Sequence, residues 1–467
     1  MNYNRNLTCL GLALLISACA APKPSPGVDE VVEQALPATT EIAENFAPVP
    51  SWSDIIARGA VKDGWLKTFG DAELEKIVAE ALENNRQLAS AKANLDSAAA
   101  LAVQAGARLI PAVNVGGGAQ STERGDSSSN QSGASLNMQW ELDIWGKLGS
   151  AASAAEESYR ATEADLEAAR QSMVAQTAKA WFQATEANLQ LQLSDEATAI
   201  YEQTLEIVKT RVDVGAGSPQ DVYLAKADLA AAKERQRQAI GALTQSVRSI
   251  EVILGRYPSA ELEVAREFVP TPPGIPVGIP AELLERRPDL IAAERRVAAA
   301  FQRIESARAA KLPSVSLTAS GGSSSNELID LLGVSSNFFS LGANFVAPLD
   351  LGGSLEAQVK IETAQQESAL ANYGDIALRA FNEVESGLTN EQLLLEREAF
   401  LAAAVENNKS ALAAAKTQYD VGAIDFLSVL QMQARTLNSR ISLIRIKNAR
   451  LAQRVDLHLA LGGSFSH

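Results

Sequence analysis

Residues 150–214 contain neither glycine nor proline, and this uninterrupted run constrains the fold more than any other feature of the sequence. Gly149 precedes the run and Gly215 follows it. Alanine, glutamate, leucine, glutamine and lysine, all strong helix formers, fill the interior. Apolar residues such as Leu166 and Met173 recur at helical spacing. A single helix of this size would be roughly 100 Å long, so we expect it to lie beside other long helices in a coiled coil.

The long run occurs twice, because residues 354–421 form a second stretch without proline. Leu-Asp-Ile precedes the first copy and Leu-Asp-Leu precedes the second. Three pairs of residues mark the equivalence, each separated by 207 positions: Asp143 and Asp350, Gly215 and Gly422, and Gly255 and Gly462. The chain is therefore predicted to be a tandem duplication of one structural unit.

The N-terminus has the pattern of a targeting segment. Arg5 supplies a positive charge, an apolar stretch follows, and Ile16-Ser17-Ala18-Cys19 resembles the lipobox of bacterial lipoproteins. We predict a lipoprotein signal peptide at 1–18 and a covalent lipid on Cys19, with no other cofactor. The alternative is an ordinary signal peptide cleaved near Ala20. Residues 19–64 are rich in proline and are predicted to form an extended tether.

Helices and strands alternate in the same order in both halves. Residues 71–109 are predicted to be one helix that ends before Pro111. Strict alternation over 135–142 predicts a strand, with 112–120 as its hairpin partner and 121–132 as a polar loop. In the second half, 288–312 is predicted to be helical, and alternating stretches around Leu317 and Leu341 are predicted to be strands.

The predicted domains follow the duplication. Residues 65–255 form the first repeat and 283–467 form the second. Residues 256–282, which carry six prolines, are predicted to be a fixed, extended connector on the outside of the long helices.

The four strands each have one apolar and one polar face. If the apolar face meets lipid, an isolated four-stranded sheet leaves open edges, which the bilayer interior does not tolerate. The smallest membrane barrels need eight strands, so one chain cannot close a barrel but two or three copies can. The alternative is an antiparallel sheet covered by the chain's own helices.

Several motifs resemble those of the TolC-like outer membrane factors, and more narrowly their lipoprotein branch. They include Trp65-Leu66-Lys67-Thr68-Phe69, Trp140-Glu141-Leu142-Asp143-Ile144-Trp145-Gly146 and Arg286-Arg287-Pro288-Asp289-Leu290. The resemblance covers most of the chain, from about Trp65 to Gly463. It implies a mainly helical fold in which three copies form one tube. A twelve-stranded transmembrane β-barrel, with four strands from each chain, stands above a periplasmic α-barrel of coiled-coil helices.

The resemblance also implies a location and partners. Such tubes sit in the outer membrane of Gram-negative bacteria, extend into the periplasm, and complete tripartite efflux pumps or type I secretion systems. The implied partners are two further copies of the chain, outer-membrane lipid, a periplasmic adaptor and an inner-membrane pump. The cargo, the adaptor and the pump stay open, as does the choice between small-molecule efflux and protein secretion. A structural coiled-coil lipoprotein that spaces the envelope is the alternative from another class.

Other function classes find little support in the sequence. The net charge of −15 argues against a nucleic-acid partner. The sequence has two histidines, His458 and His467, and contains neither HExxH nor CxxC. We therefore expect a passive conduit and no enzyme.

Two candidate sites lie where the long runs end. The resemblance implies that the turns at Val214-Gly215-Ala216 and Val421-Gly422-Ala423 meet the adaptor. It also implies a periplasmic gate in which the phenol of Tyr419 donates to the carboxylate of Asp221, with Leu427 as an apolar constriction. Asp425 is a candidate source of nearby negative charge. The alternative for Asp221 is structural, since Ser218-Pro219-Gln220-Asp221 reads as a capping box.

Overall fold

The computed structural model describes residues 63–125, 127–272, 286–325 and 337–465. These residues form seven α-helices and four β-strands, grouped into two compact units. The helices are α1 (Ala72–Asn84), α2 (Arg86–Gly106), α3 (Lys147–Asp213), α4 (Pro219–Ile253), α5 (Pro288–Ala309), α6 (Ser354–Asp420) and α7 (Phe426–Ala460). The strands are β1 (Ala112–Arg124), β2 (Ser127–Leu142), β3 (Ser314–Ser325) and β4 (Asn337–Val346). The predicted signal peptide, Cys19, nearly all of the tether, positions 273–282 of the connector and His467 lie outside the described residues.

The two long helices are present, and the duplication extends to their ends. Helices α3 and α6 have 67 residues each, and α4 and α7 have 35 each. Every one of these four helices begins and ends 207 positions from its counterpart. Within the described ranges, no helix is long and apolar enough to cross a membrane.

The prediction of one helix over 71–109 was wrong, because the helix is interrupted at Asn85, between the end of α1 and the start of α2. The backbone of Asn85 is extended, with φ −64° and ψ 130°. Its Oδ1 accepts the N–H groups of Gln87 at 2.8 Å and Leu88 at 3.2 Å, so it caps the start of α2. Its Nδ2 donates to the carbonyl of Ile253 at 2.8 Å, near the end of α4.

Arg287 occupies the matching place in the second repeat, just before α5. Its guanidinium donates to the carbonyl of Ala460, near the end of α7, at 3.1 Å. It also pairs with Asp289 at 2.8 Å and with Glu383 at 2.7 Å. The Arg-Arg-Pro-Asp motif therefore fastens the start of one helix to the end of another.

Among the described residues, one compact unit comprises 63–92, 165–272, 286–289 and 377–465. Its largest buried cluster combines the short helix Trp65–Phe69 with α1, α3, α4 and α7. In the described part of the connector, the half-buried side chains of Leu262, Val264 and Phe268 pack against this cluster. The placement of the connector on the outside of the long helices stays a prediction. The connector is also held by Glu251 of α4, whose carboxylate accepts N–H groups from Ala260 at 2.7 Å and Glu261 at 2.9 Å.

The other unit includes, of the described residues, 93–125, 127–164, 290–325 and 337–376, and it contains the sheet. The strand order is β1-β2-β3-β4, and every pair is antiparallel. The prediction of a loop over 121–132 was wrong. Strands β1 and β2 continue to pair through this stretch, without a change of register, as far as the pair Arg124 and Ser127. Serine, glycine and glutamine in this stretch suggested a loop, but the ladder depends on backbone hydrogen bonds, which these residues also make.

The apolar residues of the four strands fall into register on one face of the sheet. One row across the sheet is Val113, Met138, Ala319 and Leu341. Most of the large side chains of this face are exposed, including Phe339 at 74%, Leu341 at 71% and Phe345 at 69%. Strands β1 and β4 are the two edges, each paired with one neighbour among the described residues.

Candidate functional site at the helix tips

The first tip is the turn that joins α3 to α4. Gly215 has φ 78°, a left-handed conformation that favours glycine. The N–H of Gly215 donates to the carbonyl of Val212 at 2.9 Å, and the N–H of Ala216 donates to the carbonyl of Arg211 at 2.7 Å. This pair of bonds is a Schellman motif, which satisfies the last carbonyls of α3.

The second tip joins α6 to α7 with the same bonds. Gly422 has φ 77°, and its N–H donates to the carbonyl of Tyr419 at 2.9 Å. The N–H of Ala423 donates to the carbonyl of Gln418 at 2.8 Å. The two tips therefore have the same backbone conformation at equivalent positions.

Both tips present small apolar surfaces to the surroundings. Val214 is 73% exposed and Val421 is 77% exposed, and Ala216 and Ala423 are also exposed. A Cβ added at either turn glycine meets no atom within 4 Å. All six predicted docking residues thus lie on accessible surface of the chain.

The helix that follows the first tip begins with a capping box. The Oγ of Ser218 accepts the N–H of Gln220 at 3.2 Å, and the carboxylate of Asp221 accepts the N–H of Ser218 at 3.3 Å. Pro219 stands at the first helical position, which it suits because it lacks an N–H group. Asp221 therefore has the structural role that the sequence suggested as an alternative.

The helix that follows the second tip is capped by Asp425. Its Oδ1 accepts the N–H of Ser428 at 2.9 Å and the hydroxyl of Ser428 at 2.6 Å. The hydroxyl hydrogen bond, followed by the backbone hydrogen bond, lowers the pKa of Asp425. Asp425 is exposed, and its lowered pKa keeps it ionised at neutral pH; its part in a gate stays a prediction.

Tyr419 lies half-buried at the end of α6 between an aromatic ring and a cation. Its ring centroid lies 5.6 Å from that of Phe426, and the guanidinium carbon of Arg211 lies 4.3 Å from its centroid. Nη1 of Arg211 also donates to the backbone carbonyl of Tyr419 at 3.1 Å. Burial raises the pKa of Tyr419; Arg211 acts to lower it, and Asp221 is among the carboxylates that act to raise it.

The predicted gate residues lie in the same region, but the structure does not join them as expected. No hydrogen bond links the phenol of Tyr419 to the carboxylate of Asp221 in the part of the chain that is described. Leu427 is 48% exposed in the first turn of α7. The gate assignment for these residues stays a prediction.

A buried cluster lies beneath the two tips and holds them together. Tyr419 packs against it from α6. Its buried members come from three helices: Ala197, Tyr201, Leu205 and Val208 from α3, Ala225 and Ala232 from α4, and Phe426 and Leu430 from α7.

Sequence reasoning missed Arg211. An arginine in the last turn of a helix is common, because a cation there interacts favourably with the helix dipole. The available signal was the comparison of the repeats, in which Arg211 corresponds to Gln418 and Val212 corresponds to Tyr419. The arginine therefore occurs only in the first repeat at this position, and the tyrosine only in the second.

The sequence and the fold were compared with known proteins. The model of the family described as "Outer membrane efflux protein" matches residues 77–256 and 279–463, which contain both tips. Outer membrane protein OprJ of Pseudomonas aeruginosa is 31% identical over 441 residues, covering 90% of this chain and 91% of OprJ. Cation efflux system protein CusC of Escherichia coli is 28% identical over 431 residues, covering 90% of this chain and 93% of CusC. The structure of the outer-membrane channel OprN matches with a TM-score of 0.83 at 26% identity, covering 90% of this chain and 96% of OprN.

Proposed function

The chain belongs to the outer membrane efflux protein family, and on that premise we propose that three copies form a passive export duct through the outer membrane. An outer membrane component of an efflux pump needs a route across lipid and a junction with the rest of the pump. The sheet supplies the first and the helix tips supply the second. The duct carries out no covalent chemistry.

The observation that carries the proposal is the exposed sheet. In the described part of the chain, four strands in register present an exposed apolar face, and each of the two edge strands is paired with a single neighbour. Unpaired backbone groups at such an edge are not tolerated in the bilayer interior, so the edges must pair with other copies. Three copies give the twelve strands that the family resemblance implies, and the apolar face then meets lipid.

The proposal also covers the membrane anchor and the location. Cys19 carries a covalent lipid, and the helices extend from the outer membrane of a Gram-negative cell into the periplasm. The Cys19→Ala variant should incorporate no labelled palmitate, while barrel insertion should continue. Labelling that survives this substitution would contradict the lipid attachment at Cys19.

At the periplasmic end, the two tips dock to an adaptor that links the duct to an inner-membrane pump. Exposed Val214 and Val421 supply apolar contacts, and the left-handed glycines keep the turns small. Tyr419, Asp221, Leu427 and Asp425 belong to the gate at this end. The cargo is a small solute or ion, since the relative CusC is named for cation efflux.

The duct is tested by assembly and by conductance. The mass of the purified full chain in mild detergent should correspond to three copies. These trimers should form single channels in planar bilayers once the gate is loosened. A stable monomer with full strand content, or trimers that never conduct, would favour the envelope spacer instead.

Docking is tested separately by bulky substitutions in the turns. Gly215→Trp and Gly422→Trp should leave trimers intact, because each side chain points into open space, yet they should end export from cells. Gly70→Trp is the matched control, since Gly70 also has a positive φ of 62° and open space around it but lies outside the tips. Unchanged export by both tip variants would count against docking at these turns.

A further inference from the structure

The polar face of the sheet carries an aromatic side chain that breaks its pattern. Strand β4 alternates serine, glycine and asparagine with apolar residues, but Phe338 and Phe339 are consecutive. Successive side chains of a strand point to opposite faces, so the two rings lie on opposite sides of the sheet. Phe339 belongs to the exposed apolar face, and Phe338 therefore lies on the polar face. Among the described strand residues, Phe338 is the only aromatic residue on that face.

The cross-strand neighbours of Phe338 are all small. Its partner on β3 is Gly322, which pairs with Ser135 on β2, and Ser135 in turn pairs with Gly116 on β1. The side chain of Phe338 is 43% exposed. A space of about 700 Å³ lies against this row, and Phe338 lines it together with glycine, alanine, serine and glutamine residues. The ring is therefore accessible to a solute that approaches the polar face.

The backbone keeps the surface beside Phe338 low. A Cβ at Gly322 would lie 2.2 Å from the carbonyl oxygen of Ala134 and 2.9 Å from the Cα of Ser135, so no side chain fits there unless β2 moves. The adjacent row on the same face is polar throughout: Asn114, Asn137, Ser320 and Ser340. A planar solute can therefore approach the ring of Phe338 and stack on it without a hydrogen-bond partner.

This inference rests on the export duct proposed above, in which the apolar face meets lipid and the polar face lines the lumen. We propose that Phe338 is a specificity-determining residue of the lumen, and that its ring binds planar aromatic solutes by stacking as they pass. Twelve strands spaced about 4.8 Å apart and tilted by about 40° enclose a tube roughly 24 Å across. Three rings, one from each copy, are too small to close such a tube, so Phe338 acts through affinity for the solute.

A first experiment tests which face each ring occupies. Trimers of Phe338→Cys and of Phe339→Cys in phosphatidylcholine vesicles are treated with a methanethiosulfonate reagent that carries a sulfonate, and the unsubstituted chain gives the background of its own two cysteines. Phe338→Cys should react about tenfold faster or more, because a thiol against lipid forms little thiolate. The reverse order would place the apolar face in the lumen, and the proposed duct would then fail together with the inference.

A second experiment tests stacking with the ring in place. Ser135→Cys puts a reactive thiol in the row of Phe338, and its labelling is measured with increasing indole, a neutral planar solute. The indole concentration that halves the labelling rate should rise about fivefold when Phe338→Leu is added, as expected for the loss of one aromatic contact. Phe339→Leu on the opposite face is the matched control and should change nothing. Cyclohexanol, which is neutral but not planar, should protect equally weakly in all backgrounds.

The outcomes separate the role of Phe338 from the duct itself. Indole protection that is absent, or that is equal with Phe338 and with Phe338→Leu, overturns the inference and leaves the duct standing. Protection by tetraethylammonium without protection by indole would show that the ring attracts cations, which overturns the assignment to planar aromatic solutes. The single-channel conductance of Phe338→Leu should match that of the unsubstituted trimer. A several-fold rise would show that Phe338 blocks the lumen, and it would overturn a role through affinity.

Discussion

The two repeats have equivalent long helices, but different side chains connect the start of one helix to the end of another in each repeat. At the start of α2, the neutral side chain of Asn85 donates to the carbonyl of Ile253. At the start of α5, the cation of Arg287 donates to the carbonyl of Ala460, which lies 207 positions after Ile253. The duplicated carbonyl is therefore satisfied by an amide in one repeat and, in the other, by a buried arginine that also pairs with two partly exposed carboxylates.

The tips show the same divergence. Ser218 caps α4 with Asp221 three residues later, whereas Asp425 caps α7 with Ser428 three residues later. Hydroxyl and carboxylate have exchanged positions, yet both helices begin at equivalent residues. The difference shows that a helix begins where the free backbone N–H groups of its first turn find hydrogen-bond acceptors. Either a hydroxyl or a carboxylate side chain can provide them.

Substitution of Arg287 should give the largest difference between the repeats. Arg287→Leu removes the cation from the Ala460 carbonyl and from Asp289 and Glu383. Water solvates the two carboxylates, which are 40% and 51% exposed, so the loss arises mainly at the carbonyl and should lower the free energy of unfolding by about 2–3 kcal/mol. Asn85→Ala, its matched variant in the first repeat, should cost about 1–3 kcal/mol. Denaturant titration of both variants gives the comparison. Equal losses of unfolding free energy in the two variants would show that the charge of Arg287 adds nothing to its hydrogen bond with the Ala460 carbonyl.

Acidification should weaken the packing of His458 at a higher pH than it weakens the hydrogen bonds of Glu251. His458 is buried against Trp65 with ring centroids 5.4 Å apart, and burial with a contribution from Arg454 lowers its pKa from 6.5 to about 3. Protonation then favours the unfolded chain, so the stability is complete above pH 6.5 and falls as the pH drops towards 3. The loss should approach about 1.4 kcal/mol per pH unit.

The counterpart of His458 in the first repeat is Glu251, which behaves differently. Burial acts to raise the pKa of Glu251, but hydrogen bonds from the backbone of Ala260, Glu261 and Leu262 lower it below 4.5. Its contribution is complete above pH 4.5 and is lost below that value. His458→Phe should therefore flatten the dependence of melting temperature on pH between 6.5 and 5, whereas Glu251→Gln should change only the dependence below 4.5. A flat profile in the unsubstituted chain between 6.5 and 5 would rule out a buried neutral His458.

Alanine at the helix-ending glycines should separate close packing from backbone conformation. At Gly422 the added Cβ meets open space, so the cost is the left-handed φ alone, about 1–2 kcal/mol. At Gly255 the Cβ would also lie 2.7 Å from the carbonyl oxygen of Asn84, so Gly255→Ala should cost more. Melting temperatures of the two variants measure the difference. A larger loss at Gly422 would contradict this order.

The exchanged caps should give the smallest effect. Ser218→Ala should weaken the start of α4 by about 1 kcal/mol. Asp425 stabilises α7 above pH 3.8, and this contribution disappears as the pH falls through its lowered pKa. Hydrogen exchange in the first turn of α7 should rise in acid, and Asp425→Asn should remove that rise. An acid response that persists in Asp425→Asn would assign it to another group.

The long helices, the strands and the turns were predictable because their signals are local. Glycine and proline at 215, 219 and 422 mark the ends, and strict alternation marks β2. The break at Asn85 was missed because neither glycine nor proline accompanies it, although asparagine is a favoured N-cap residue. The outer ends of β1 and β2 were missed because their residues are polar, and polar residues suffice where a strand needs only its ladder.

The candidate site was predicted in position but not in its contacts. The positions of the turns and of Tyr419 follow from the equivalence of the two repeats. The contact between Arg211 and Tyr419 depends instead on how α3 and α6 pack against each other. A contact between residues 208 positions apart leaves no periodic signal in the sequence.

The equal lengths of α3 and α6, 67 residues each, restrict how the gene for this chain can vary. Inserting one residue near the tip of α3 rotates everything beyond it by about 100°, which turns buried Val208 away from its cluster. Seven inserted residues restore the phase to within about 20° but lengthen α3 by about 10 Å, which separates Arg211 from Tyr419. We therefore expect surviving insertions and deletions to occur in multiples of seven and to be matched in all four long helices. Related chains should therefore differ in length by changes that affect all four long helices together.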